Sequence, residues 1–227
     1  MAERPILFSD TMVRAILAGA KTQTRRVVQA PAKNMQRAGT QVIKHRAAGD
    51  PWYGDHVWSM RNRMGVWGDY THERFMSRCP YGAPGDRLWV REAWAPFVGP
   101  DGRDYVAYRS TCAPDGSFLW GGDGEIAQMQ IHRWRPSIHM PRWASHLTLE
   151  IVDVRVERVQ SITEDDARAE GVSPEPSAVL ADSPVGLTAR EAFAALWDSI
   201  NGKRPGCSWA DDPWVWAVTF RRVEVRR

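Results

Sequence analysis

Leu147-Thr-Leu-Glu-Ile-Val-Asp-Val-Arg-Val-Glu-Arg-Val159 is the stretch whose reading decides the fold. Leu147, Leu149 and Ile151 alternate with polar neighbours, the period of a strand with one buried face. At Val152 the phase slips by one residue and then resumes with Val154 and Val156. One extra residue on one strand accounts for the slip, so the segment predicts a long strand bulged near Ile151 and Val152. Bulges of this kind accompany the coiling of a sheet toward a barrel.

On the C-terminal side, Thr163 is placed to cap a short helix through Asp166, Ala167 and Glu170 that stops at Gly171. Residues 173–186 form a loop containing Pro, Ser and Asp. Thr188-Ala-Arg-Glu191 is a capping box, and Phe193, Leu196, Trp197 and Ile200 follow at helical spacing as far as Gly202. After a loop at 203–213, Trp214 to Val225 alternates as a final strand. On the N-terminal side, Gly85-Asp-Arg-Leu-Trp-Val-Arg-Glu92 is a turn and a strand. Leu88 and Val90 share one of its faces and Trp89 takes the other. Pro5 to Ser9 reads as the first strand. A helix follows from Asp10 to Ala18, with Met12, Val13, Ile16 and Leu17 on one side, Asp10 as its cap and Gly19 ending it in a left-handed turn. Two stretches, about 30–85 and 96–141, are broken by Gly and Pro and read as insertions. The expectation is an α+β, mainly β chain, residues 1–227 forming one domain. It is a small, mainly antiparallel barrel with flanking helices and two large insertions.

A hydrophobic content of 43% and a charged content of 25% are ordinary for a soluble globular chain. The net charge of +3 favours an acidic partner such as nucleic acid. Cys79, Cys112 and Cys207 are few, odd in number and far apart, which argues against a disulfide framework and suits a reducing cytoplasm. None belongs to a Cys-x-x-Cys pair, and no metal or cofactor is expected. No apolar run is long enough to span a membrane, and Met1 to Phe8 lacks a signal-peptide core.

The densest chemistry lies in Gly19-Ala-Lys-Thr-Gln-Thr-Arg-Arg26. Its cations suit phosphates or developing oxyanions, and a Thr hydroxyl can act as a nucleophile. A solvated basic strand is the competing reading, and Arg25 in particular suits a solvated role. In the first insertion, Trp52, Tyr53, Trp58, Trp67 and Tyr70 stand near Lys33, Arg37, Lys44, Arg46, Arg61 and Arg63. Such a mixture can stack bases and pair phosphates, or simply pack locally. His132, His139 and His146 suit packing or surface roles, since their spacing matches no zinc pattern. Lys203 and Arg204 either guide an acidic substrate or are solvated.

Together, Ile16-Leu-Ala-Gly-Ala-Lys-Thr-Gln-Thr-Arg-Arg26, Gly85-Asp-Arg-Leu-Trp-Val90, Ile162-Thr-Glu-Asp-Asp-Ala-Arg-Ala-Glu-Gly171 and the strand from Trp214 to Val223 resemble the ASCH domain, a relative of the PUA RNA-binding barrel. The hallmark Gly-x-Lys with Arg five residues after the Lys falls on Gly19, Lys21 and Arg26. Ser137-Ile-His-Met-Pro-Arg-Trp143 and Asp212-Pro-Trp-Val-Trp216 extend the likeness to longer ASCH-like proteins of phages and prophages. At the motif residues the chain also resembles N4-acetylcytidine amidohydrolases. That resemblance implies Lys21, Thr24 and Glu170 as catalytic residues. Gly19, Arg26, Trp89, Arg91 and Trp214 are the expected contacts to a substrate or nucleic acid.

The implied activity is a metal-independent removal of an acyl group from a modified pyrimidine nucleoside or nucleic-acid base. Its chemistry needs a nucleophile, a proton carrier and a cation for the tetrahedral oxyanion. Thr24, Glu170 and Lys21 supply these types. In a regular strand, however, Lys21 and Thr24 point to opposite faces, so their convergence requires a bend after Gly19. Two other readings stand beside it: an RNA- or modified-DNA-binding module without catalysis, and an ASCH-type ribonuclease. Expected partners are a modified nucleoside, RNA or DNA, with no membrane. Sequence leaves the oligomeric state open.

Overall fold

The computed structural model describes residues 1–28, 36–38, 57–61, 64, 67–70, 72–122, 125–172 and 188–223. Its central element is the long strand around which the sequence reading was built, β11 (Thr148–Arg158). Leu149 and Ile151 are fully buried, and the register against the partner strand shifts between Ile151 and Asp153. The expected bulge is therefore present. Val152, the extra residue, is 51% exposed, so the slip returns Val154 to the buried face.

Beside β11 run β1 (Glu3–Leu7), β2 (Gln23–Val27), β6 (Arg87–Arg91) and β12 (Trp214–Val223), in the spatial order β1-β6-β11-β12-β2. All neighbours are antiparallel except β1 and β6. The fold is thus α+β and mainly β, as expected, but the expected closed barrel is corrected. The sheet is open, ending at β1 on one edge and β2 on the other. What bridges the gap between those edges is side chains rather than a ladder. Arg26 of β2 donates to the Leu7 carbonyl of β1, and its guanidinium lies 5.2 Å from the Phe8 ring.

Helix α1 (Asp10–Leu17) crosses from β1 toward β2. Its cap is Ser9, whose side chain accepts the Met12 N–H. Asp10, expected to be the cap, is instead the first helical residue and pairs with Arg109 at 3.3 Å. Gly19 takes the left-handed conformation (φ 76°) that ends the helix, as anticipated. Within the first insertion, β3 (Gln36–Ala38), β4 (Val57–Arg61) and β5 (Trp67–Tyr70) form a three-stranded sheet, followed by α2 (His72–Met76). Lys33, Lys44, Arg46, Trp52, Tyr53 and Arg63 lie outside the described residues, as does the loop at 173–186. The second insertion holds two hairpins. One pairs β7 (Trp94–Val98) with β8 (Asp104–Tyr108), and the other pairs β9 (Ser117–Gly122) with β10 (Glu125–Gln130).

Helix α3 (Glu164–Ala169) is capped by Thr163 and closes at Gly171 (φ 80°), and α4 (Ala189–Asn201) carries the full Thr188/Glu191 capping box. The apolar positions of α4 divide. Phe193 and Trp197 are buried with Val159, Ile162, Ala167 and Val215, whereas Leu196 and Ile200 stay exposed. A second apolar core, built on Leu88, Val90, Leu149, Trp216, Val218 and Phe220, lies under α1. A cleft lined by Ile6 of this core and by Phe193 and Trp197 of the other lies where the two meet.

Candidate functional site

After Gly19 the chain does not enter the sheet directly. The Ala20 and Lys21 N–H groups both reach the Ala15 carbonyl, and the Thr22 N–H donates to Ala169 at the end of α3. Lys21 forms an isolated bridge with Glu170, and β2 begins only at Gln23. This irregular step sets Lys21 ahead of the strand and against Glu170, while Thr24 lies within β2 opposite Val218. Both are buried, at 2% and 3% exposure.

Lys21 Nζ donates to Glu170 Oε2 at 2.7 Å, to the Glu170 carbonyl at 2.8 Å and to the Gln23 carbonyl at 2.8 Å. Three donors meet three acceptors, so the ammonium is fully satisfied. Burial pushes its pKa below the ordinary lysine range, and the Glu170 charge pulls the other way. Gly171, the residue after Glu170, must be glycine for two reasons. Its φ is positive, and a Cβ there would stand 3.0 Å from Lys21 Cβ.

The second oxygen of Glu170 faces Arg25, at 3.3 Å. Here the structure corrects the reading of Arg25 as a solvated cation, because the residue is 4% exposed. Its guanidinium binds Gln23 Oε1 at 2.6 Å, Glu157 at 2.6 Å and Asp166 at 2.9 Å. Arg155 adds a further cation to Asp166 at 3.0 Å. Burial acts to raise the Asp166 pKa, but Arg25 and Arg155 outweigh it and hold the carboxyl below its usual value. Three carboxylates and three cations thus interlock β2, β11 and α3. The sequence carried one signal for this cluster: Asp166 and Glu170, four apart, share a helical face.

Thr24, Arg25, Arg26, Arg91 and Glu170 line a cleft of about 380 Å³, which adjoins a second one of about 720 Å³ that also contains Arg26 and Glu170. These sizes fall within the roughly 300–1,000 Å³ of small-molecule sites. Leu7, Met12, Leu196 and Ile200 line both. Lys21 is not among the lining residues; it lies behind Glu170. In the cleft, Glu170 therefore presents a carboxylate already fixed by two cations.

Thr24, Glu170, Arg26 and Arg91 thus line one cleft, and Lys21 joins them only through Glu170. Gly19 contributes the turn. Arg91 is held by the carbonyls of Ser137 and Ile138, in the 3-10 turn that closes the second insertion. Trp89 and Trp214 do not line the cleft. Trp89 lies under the Arg91 guanidinium at 5.4 Å, and Trp214 packs on the main core beneath Arg158 at 4.3 Å. Elsewhere, Glu92 is fully buried and pairs with His146 at 2.7 Å, while His146 stacks on Tyr108. This places His146 in a packing role. Comparison of the chain with protein-family models, curated proteins and solved structures finds no match. The class defined by fold and site is accordingly stated in physical terms: an α+β protein with a cleft built on a buried ammonium–carboxylate pair.

Proposed function

We propose that the cleft is the active site of a hydrolase that removes an acyl group from a modified pyrimidine nucleoside or base, in an ASCH-like, PUA-like fold. The observation that carries this reading is the buried Lys21–Glu170 pair beneath a cleft that Thr24 also lines. A carboxylate has about four lone-pair sites. Two on Glu170 are taken by Lys21 and Arg25, so acceptor capacity remains for a proton from the cleft.

In the proposed reaction the Thr24 oxygen attacks the acyl carbonyl and its proton passes to Glu170. The tetrahedral intermediate collapses, the C–N bond breaks, and the leaving amine takes that proton from Glu170. Water then enters with Glu170 again as base, releasing the carboxylic acid and restoring the threonine hydroxyl. Arg26, open to the cleft, stabilises the developing oxyanion. Lys21 acts through Glu170 as a positioning residue, because all three of its donors are committed and it stands behind the carboxylate.

That same commitment favours a second reading. If the pair only fastens α3 to β2, the cleft is a nucleic-acid-binding site without chemistry. Incubating the purified chain with a panel of acylated cytidines and modified oligonucleotides, followed by mass spectrometry, separates the two. Deacylated product that disappears with Thr24→Ala supports the hydrolase. Tight, salt-sensitive binding with no product supports the binding module.

A further inference from the structure

Arg26, Arg91 and Arg204 all line the cleft, and among the described residues none of them is paired with a carboxylate. Their hydrogen bonds go to neutral acceptors. Arg26 reaches the Leu7 carbonyl, Arg91 reaches Ser137 and Ile138, and Arg204 makes a long contact of 3.4 Å with Asn201 Oδ1. These bonds aim the guanidinia without cancelling their charge. Arg25 behaves differently, being neutralised by Glu157 and Asp166. The one carboxylate that lines the cleft, Glu170, is already matched by Lys21 and Arg25. What remains is a cavity with three uncompensated positive charges.

The other wall is apolar. Leu7, Leu196 and Ile200 are large hydrophobic side chains that stay exposed, at 41%, 37% and 52%. All three line the cleft. Exposed apolar side chains gathered in a groove beside unpaired guanidinia mark a ligand site. The ligand that fits has a flat, weakly polar body joined to a strongly anionic end. Guanidinium forks match phosphate oxygens in particular.

We propose that the cleft takes a phosphorylated pyrimidine, with its phosphate on Arg91 and Arg204 and its base laid against Leu196 and Ile200 toward Glu170, which leaves Arg26 to the oxyanion. The substrate class is then a nucleotide, free or within a strand, rather than a free nucleoside. This inference rests on the reading of the cleft as a base-binding site, but it does not require catalysis there.

Calorimetric titration of the full chain with cytidine, cytidine 5′-monophosphate and a short cytidine-containing RNA tests it. The monophosphate should bind roughly tenfold tighter than cytidine, the factor expected from one charge-assisted hydrogen bond. That advantage should shrink between about 50 mM and about 300 mM salt. Arg204→Gln, at an exposed position, should narrow it further. Tighter binding of the RNA than of the monophosphate assigns the phosphate to a strand, and equal binding assigns it to a mononucleotide. Equal affinity for cytidine and its monophosphate overturns the inference, as does failure of all three to bind. The acetylated forms of the same ligands judge the hydrolase separately. A phosphate advantage without product keeps the phosphate site and removes the chemistry.

Discussion

Glu170→Gln is the most informative perturbation of the buried cluster. The change keeps the shape of the side chain but removes the only counter-ion of Lys21 among the described residues. Breaking one half of a buried pair costs about 3–5 kcal/mol. The structure points to the lower end of that range. Arg25 keeps Glu157 and Asp166, and Lys21 keeps two backbone carbonyls. A loss of about 3 kcal/mol at pH 7 is therefore expected. The pH dependence has a definite sign. Burial already lowers the Lys21 pKa in the folded chain, and without the Glu170 charge only the two carbonyl acceptors oppose that shift. Between the lowered folded value and the unfolded value of about 10.4, the unfolded chain binds more protons, so stability rises with pH. The deficit of Glu170→Gln should thus shrink in alkali, by at most about 1.4 kcal/mol per pH unit. Urea unfolding of both proteins at pH 7 and at about pH 9.5 measures this. A deficit below about 1 kcal/mol at pH 7, or one equal at both pH values, would refute the account of Lys21 as a buried, desolvated ammonium.

Thr24→Ala removes a hydroxyl from the cleft while leaving the strand pairing with Val218 intact. It should lower acetylcytidine turnover by at least about a hundredfold and stability by less than about 1 kcal/mol, as read by product assay and thermal melting. Arg25→Met strands Glu157 and Asp166 next to one remaining cation, Arg155. It should cost about 3 kcal/mol in a urea titration, and a neutral result would show that the cluster is solvated. Gly171→Ala and Gly19→Ala make a matched pair. Both place a side chain at positive φ, at a cost of about 1–2 kcal/mol. Only the first also meets neighbouring atoms, at 3.0 and 3.2 Å, so Gly171→Ala should be clearly the more destabilising in the same melts.

Much of the fold was legible because its signals were local. The phase slip at Val152 marked a real bulge, Thr188 and Glu191 marked a real cap, and Gly19 and Gly171 marked real left-handed turns. The openness of the sheet was not legible. Whether β1 and β2 pair depends on how α1 and Arg26 fill the space between them, and no periodicity records that. Within the site, the meeting of Lys21 with Glu170 followed from the family resemblance and not from spacing, since 149 residues separate them. Arg25 was missed because a strand residue flanked by polar neighbours looks solvated. Its burial depends on Glu157 and Asp166 arriving from β11 and α3. Trp89 and Trp214 were drawn into the site by residue type, whereas the aromatic side chains that line the cleft are Tyr81, Phe193 and Trp197, beside Leu196 and Ile200 of α4.

The central claim is that Thr24 and Glu170 act as one site, and a double-mutant cycle on acetylcytidine turnover tests it most directly. Residues acting as a unit lose their effect together. The account predicts that Thr24→Ala/Glu170→Gln, assayed where both single variants are folded, is no slower than the worse single variant. Losses that multiply would contradict it.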